Sequence, residues 1–475
     1  MKNIITGSEE VYMVNKNIEN KVVKVIDNKP ELLAPAGNLE KLKLAILYGA
    51  DAVYCGGHSY GLREGADNFT LEELEEAVEF VHDHHAKIYI TVNMIPHNED
   101  LEGLPEYLHQ LADLAVDALI VSDPGIISIL QEEGIDLPIH LSTQANAVNW
   151  ASIRFWKEQG VERVILAREL SRVEIIDIKE KTEIELEMFI HGSMCISYSG
   201  RCLLSNYMTG RDANRGKCAH SCRWKYHLVE EQRPGEYYPI YEDEQGTYIM
   251  NSKDLCLIEY IPDIIESGVT SLKIEGRMKS LHYVSTVTSV YRKAIDLYYK
   301  DPGNYQFRTE WLDELRKVSH RDYTTGFFLA PPGTEEHNYD SSAYQREYDF
   351  MGVVRDFIPF EEDSNENIDY QDGNDNILEK DSEDILRYKQ LTDKNNREDY
   401  IGHAVVEVRH KFFEGDILEF MGPDTDTFDV KLEYIINHKG EFVDDAPHPK
   451  ELIKILVDKV VKPYYLVRRE KKENE

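Results

Sequence analysis

Long apolar runs are missing from this sequence: no stretch reaches the roughly 18 residues that a membrane-spanning helix needs. The opening segment, Met1 to Asn17, holds neither an apolar core nor a small-residue cleavage site. No secretory leader is therefore expected, and the chain is expected to be cytoplasmic. Positive charge is in short supply, with 53 Lys and Arg against 88 Asp and Glu, a formal net charge of -35. Nonspecific affinity for nucleic acid comes from neutralising phosphates. The deficit therefore excludes loose nucleic-acid binding but leaves room for a local basic surface facing a structured RNA. Cysteine is scarce as well, six in 475 residues. In a reducing compartment these thiols are expected to act as ligands or catalysts rather than as disulfides. Also missing are HExxH, GxxxxGK[ST] and GxGxxG, so no familiar metalloprotease or nucleotide-binding machinery is visible.

What is present is ordinary for a globular chain of more than one domain, with 42% hydrophobic and 30% charged residues. From Glu31 onward, short β-branched runs alternate with helical patterns. The runs are Leu32–Ala34, Ala52–Tyr54, Lys87–Val92, Ala118–Val121, Pro138–Leu141, Val164–Leu166, Glu185–Ile190 and Ser271–Ile274. Between them lie helix-like stretches such as Leu39–Leu47, Leu71–His84, Leu104–Leu114 and Ala151–Glu158, with a last helix expected over Ser285–Tyr299. Strands alternating with helices form parallel βαβ units. Eight in about 245 residues match the count and size of a TIM-like (β/α)8 barrel, whose chemistry sits on loops at the C-terminal ends of its strands. After about Gly333, short strands with close turns predict a small antiparallel β-barrel domain. The fold class is thus α/β, a TIM-like barrel followed by an antiparallel β-barrel. The organisation reads as an arm over 1–29, a barrel over 30–335 with a cysteine-rich insertion at 192–252, and a C-terminal domain over 336–475. An acidic insert at 361–399 interrupts that last domain. Between Glu361 and Asp384 it carries eleven acids against one lysine, a composition expected to stay disordered.

Cys195, Cys202, Cys218 and Cys222 fall within 28 positions, spaced C-x6-C-x15-C-x3-C, directly after the seventh strand. Four thiolates suit an iron–sulfur cluster, [4Fe–4S] or [2Fe–2S], or a structural zinc; unrelated buried thiols are the third possibility. Zinc sites usually pair close cysteines twice over, and here only Cys218 and Cys222 are so placed. Cys256 is an alternative fourth ligand or a core thiol at the start of a helix-like pattern, Leu255 to Ile265, and Cys55 lies just beyond the second strand.

The strand ends also place Asn93, Ser142, Gln144, Asn146, Arg168, Glu169, His191, Lys273, Glu275 and Arg277 near one face. Arg168, Lys273 and Arg277, with Arg201 from the cysteine segment, suit a carboxylate or phosphate. Gln144, Asn146 and Asn93 are candidate substrate-binding groups. His191, Glu275 and Lys273 are candidate acid–base groups. The alternative is structural: ion pairs Lys273–Glu275 and Arg168–Glu169 capping the barrel, and a satisfied core histidine at His191.

The stretch EMFIHGSMCISYSGRCLLS resembles the signature of peptidase family U32. So do ELLAPAGN, DAVYCGG, NMIPHN, IVSDPG, IHLSTQANAVNW, VILAREL and SLKIEGR, together with the C-terminal β-domain. Within that family, IHLSTQANAVNW, ISYSGRCLLS, CRWKY and GTYIMNSKDL are similar to the members that hydroxylate RNA. The resemblance implies oxygen-independent 5-hydroxylation of the wobble uridine of tRNA, with tRNA as partner and possible use of prephenate. It also implies an iron–sulfur cluster of the [4Fe–4S] type on Cys195, Cys202, Cys218 and Cys222, with a redox partner it does not name. The family label also raises a collagenase-like peptidase, for which no nucleophile or base is evident. A noncatalytic protein with a four-cysteine zinc site is the third alternative.

Overall fold

The computed structural model describes residues 29–330, apart from 59, 62–66, 196, 199–200 and most of 224–252, and then 345–360 and 400–471. The N-terminal arm, the acidic insert and most of the Tyr- and Gly-rich stretch before Lys253 lie outside the described residues. Eight parallel strands form the first unit: β1 (Glu31–Pro35), β2 (Ala52–Cys55), β3 (Lys87–Val92), β4 (Ala118–Val121), β5 (Ile139–Leu141), β6 (Val161–Ile165), β7 (Glu185–Ser193) and β8 (Ser271–Ile274). Each pairs with the next, and β8 pairs with both β7 and β1, which closes the barrel. The strands are buried along nearly their whole length because helices cover them outside and side chains fill them inside.

Local chemistry sets the helix starts. Asn38 accepts a hydrogen bond from the Lys41 amide at 3.0 Å at the head of helix Leu39–Leu47. Thr70 with Glu73, and Ser171 with Glu174, form capping boxes for Leu71–Asp83 and Arg172–Lys181. The closing helix, Leu281–Lys300, begins earlier than the apolar face suggested, at the Ser280 cap. The segment Leu255 to Ile265 is not helical throughout. Asp254–Cys256 is a strand antiparallel to β7, and the α-helix starts only at Ile261.

The barrel interior is charged at its centre. Glu187 is 0% exposed and lies between two cations: Lys273 Nζ at 2.7 Å and Arg163 Nη1 at 3.4 Å. Arg163 also reaches Glu31 at 2.6 Å and Glu185 at 2.7 Å, and Glu31 accepts from Tyr89 at 2.6 Å and Ser271 at 3.0 Å. The paired charges meet the requirement that buried ions be compensated.

The C-terminal unit is an eight-stranded antiparallel sheet curled around its own apolar core, with Tyr348–Pro359 as its long central strand. It is joined to the barrel by an apolar cluster including Tyr48, Leu281, Val353, Met421 and Leu466. Tyr48 Oη donates to the Met421 carbonyl at 2.7 Å. Buried Arg468 donates to Glu419 and, at 2.5 Å, to Glu314 of the barrel unit.

Two predictions follow from these interiors. Lys273→Met leaves Glu187 partly uncompensated and should cost about 3–5 kcal/mol, whereas Lys273→Met with Glu187→Leu should recover most of that loss. Chemical denaturation of the two single variants and the double variant measures the coupling; additive losses would refute it. Second, burial holds His191 down to about 3 and His403 to about 4, and holds His140 and His282 well below the usual imidazole value. The unfolded chain takes up these protons below about pH 6.5 while the folded chain does not, so stability should fall as pH drops from about 6.5 toward 4. His191→Gln should make that fall shallower by up to about one proton. Thermal melts across the range test this, and an unchanged slope would contradict it.

Candidate functional site

The C-terminal strand ends and the cysteine segment enclose one cavity. Tyr54, Thr91, Ile120, Ile165, Phe189 and Lys273 reach it from the barrel strands, and Asn93, Ser142, Thr143, Gln144, Arg168, Glu275 and Arg277 from the loops that follow. The cysteine segment contributes Ser193, Met194, Ser205, Ala213, His220, Ser221 and all four clustered cysteines: Cys195, Cys202, Cys218 and Cys222.

The segment is fixed to the barrel rim at several points. Asn146 Nδ2 donates to the Tyr198 carbonyl at 2.9 Å, and Arg201 Nε donates to the Gln144 carbonyl at 2.7 Å. The Ile95 amide donates to the Asn214 carbonyl at 3.2 Å, and Arg215 pairs with Asp100 at 2.5 Å. Within the segment, Ser205 Oγ donates to the Arg211 carbonyl at 2.8 Å and accepts from the Ala219 amide at 2.9 Å. Asn214 Nδ2 reaches the Cys202 carbonyl at 3.3 Å, and the His220 amide donates to Cys218 Sγ at 3.4 Å. Asn146 and Arg201 thus do not line the cavity; they hold the segment that does.

The walls carry more positive than negative charge. The Arg168 guanidinium lies over the Phe189 ring at 3.9 Å from its centroid and 3.4 Å from Glu275. Lys273 Nζ lies over the Tyr54 ring at 4.2 Å, and burial lowers its pKa, partly offset by Glu187. Arg277, 4% exposed, donates to Thr91 Oγ1 at 3.1 Å. Gly56 makes room for it, since a Cβ there would stand 2.3 Å from the guanidinium. Three cations facing one lining carboxylate, Glu275, favour an anionic small molecule. Gln144 is 6% exposed, and its Oε1 has no hydrogen-bond partner among the described residues. A buried acceptor in that state suits a donor on a bound molecule. Asn93 reaches Ser142 Oγ at 3.4 Å.

His191 is not brought to the cavity. The register of β7 against β8 shifts between Lys273 and Ile274, and Gly192 takes a φ of +107°. His191 packs instead among Tyr283, Tyr291 and Tyr323, its Nδ1 3.4 Å from Tyr291 Oη. It is a core imidazole, kept neutral by burial. Cys256 is also set apart. It is buried with its Sγ 4.0 Å from Tyr291 Oη, and burial pushes its thiol up to about 12. Cys55 is buried too and likewise pushed up to about 12. The ion pairs differ from those expected: Lys273 pairs with Glu187 and Arg168 with Glu275.

Sequence reasoning passed over Tyr54, Thr91 and Phe189 in the cavity, and Glu187, Arg163 and Glu31 beneath it. The signal was available: Tyr89 and Thr91 in KIYITVN, and Glu185, Glu187 and Phe189 in ELEMFI, recur at the two-residue period of one strand face.

Four thiols lining one cavity fit an iron–sulfur cluster, and the same donor set suits a structural zinc. No helix among the described residues is long and apolar enough to cross a membrane.

The description of peptidase family U32 matches residues 37–338, and that of the family's C-terminal domain matches residues 391–468. The chain is similar to the tRNA hydroxylation protein P1 of Bacillus subtilis (strain 168), 46% identical over 94% of this chain and 96% of that protein. It is similar to the tRNA hydroxylation protein P of Escherichia coli (strain K12), 37% identical over 88% and 92% of the two chains. A more partial match is the 23S rRNA 5-hydroxycytidine C2501 synthase of the same organism, 36% identical over 65% of this chain and 47% of that protein. A match of nearly end-to-end length, on a barrel and a C-terminal unit that both fit the family descriptions, means that the chain belongs to peptidase family U32.

Proposed function

We propose that the chain is an RNA-modifying enzyme that hydroxylates C5 of the wobble uridine of tRNA without molecular oxygen. Its cofactor in this reading is an iron–sulfur cluster of the [4Fe–4S] type on Cys195, Cys202, Cys218 and Cys222. A prephenate-like carboxylate serves as co-substrate, and an electron-transfer partner accepts the two electrons that replacing C5–H by C5–OH releases. The observation that carries the reading is that the four cysteines line the same cavity as Arg168, Lys273 and Arg277. The relatives named for RNA hydroxylation support the substrate class.

When bound, the cluster supplies one-electron transfer and Lewis-acidic iron. The chain's own groups do the rest. Arg168 and Arg277 bind carboxylates in forked geometry, and Lys273, held by Glu187 from below, adds a directed point charge. Gln144 Oε1 accepts a hydrogen bond from a substrate N–H or O–H. Glu275, the carboxylate of the lining, would accept the proton that C5 loses. Phe189 and Tyr54 give the pocket low-polarity walls, which strengthen these charge interactions.

Iron and sulfide analysis of protein purified without oxygen tests the cofactor. About four of each per chain are expected, lost in Cys195→Ala and kept in Cys256→Ala; one zinc and no iron would make the site structural. Nucleoside mass spectrometry of tRNA from a strain lacking the chain tests the activity, with 5-hydroxyuridine returning on complementation. Arg277→Ala should raise the co-substrate concentration needed by at least about tenfold, the worth of one charged hydrogen bond. An unchanged requirement would remove Arg277 from that role.

A further inference from the structure

The cysteine segment has an outer face as well as an inner one, and its polarity is inverted. In the short helix Leu204–Thr209, the polar Ser205 points inward, 1% exposed. Leu204 is half-buried, but three apolar groups point out beside Asn206 and Thr209: Leu203 is 74% and Tyr207 87% exposed, one turn apart on the same side, with Met208 beside them at 40%. A helix on a soluble surface normally does the reverse, and clustered exposed apolar groups mark a contact surface. The charge is inverted too. Between Tyr198 and Lys217 there are four cations and one acid, in a chain whose net charge is -35, and two of the cations, Arg201 and Arg215, are engaged at the barrel rim. Arg211 and Lys217 are exposed on this stretch.

We propose that this outer face is a nucleobase platform. Tyr207, backed by Leu203, stacks on an unpaired base beside the target nucleotide, while Arg211 and Lys217 take the flanking phosphates. The inference rests on the RNA-hydroxylase reading and specifies where its substrate docks. A base modified inside a cavity must leave its stack, and its neighbours lose a partner that an aromatic side chain can replace. The platform lies on the segment whose inner face lines that cavity. Aromatic stacking with interspersed cations is the recognition chemistry of single-stranded RNA. The local positive charge matches a polyanion against the prevailing charge of the chain.

Binding of an anticodon stem-loop RNA to the full-length protein, followed by fluorescence anisotropy across salt concentrations, tests this. Tyr207→Ala should weaken binding about tenfold, as loss of one stacked base does, and leave the salt dependence unchanged; Tyr207→Phe should bind like the wild type. Arg211→Glu should weaken binding and flatten the salt dependence. Tyr207 is largely exposed, so cysteine-site iron and melting temperature should be unaltered and serve as folding controls. Wild-type binding that neither Tyr207→Ala nor Arg211→Glu affects would overturn the platform and leave the hydroxylase reading standing. If these variants bind RNA normally but exchange electrons more slowly with an acidic electron-transfer protein, the face belongs to that protein and the proposal fails. A wild type that binds no RNA, with tRNA from the deletion strain unaltered, would overturn both readings.

Discussion

The buried carboxylate of Glu187 is the constraint around which the barrel is arranged. It is fully enclosed, and two cations from neighbouring strands, Lys273 on β8 and Arg163 on β6, compensate it. Most barrels of this type fill their centre with layers of branched apolar side chains. Here a charged column takes that place, running from Glu31 and Arg163 through Glu187 to Lys273, whose ammonium enters the cavity wall. The position of Lys273 is therefore set by electrostatics from beneath. Preorganised charge of this kind need not reorient when a substrate arrives.

Much of the fold was legible because parallel barrel strands, buried on both sides, read as short continuous apolar runs. All eight runs became barrel strands, with shifts of a few residues at their ends. The largest shifts were at the end of β7, which runs on to Ser193, and at the start of β6, which begins at Val161 rather than Val164 because Glu162 and Arg163 interrupt the apolar signal. Arg163 is nonetheless a core residue. Its partners are 132 residues back in sequence at Glu31 and 24 forward at Glu187, and local pattern cannot see such pairs. Leu255 and Cys256 look like the start of a helix because the three-residue strand Asp254–Cys256 is too short to show a strand period, and pairing with β7 decides the matter.

The site divided along similar lines. Spacing placed the four cysteines together, and they do share a cavity. Strand-end position placed Asn93, Gln144, Arg168, Lys273, Glu275 and Arg277 there as well. It failed for His191, where a register shift and the positive φ of Gly192 send the side chain to the tyrosine layer under helix Leu281–Lys300. It also misassigned Asn146 and Arg201, whose polar groups are used on backbone carbonyls. A sequence pattern gives the end of a strand at which a residue lies; backbone geometry decides which way it faces.

The bond from Arg201 to the Gln144 carbonyl has a thermodynamic consequence. Arg201 is next to Cys202 in sequence, and Gln144 contributes to the cavity an amide oxygen unpartnered among the described residues. Groups held separately by the thiols and by Gln144 would therefore be coupled through one hydrogen bond. Linkage makes any such coupling reciprocal: occupancy on either side would change affinity on the other by the same factor.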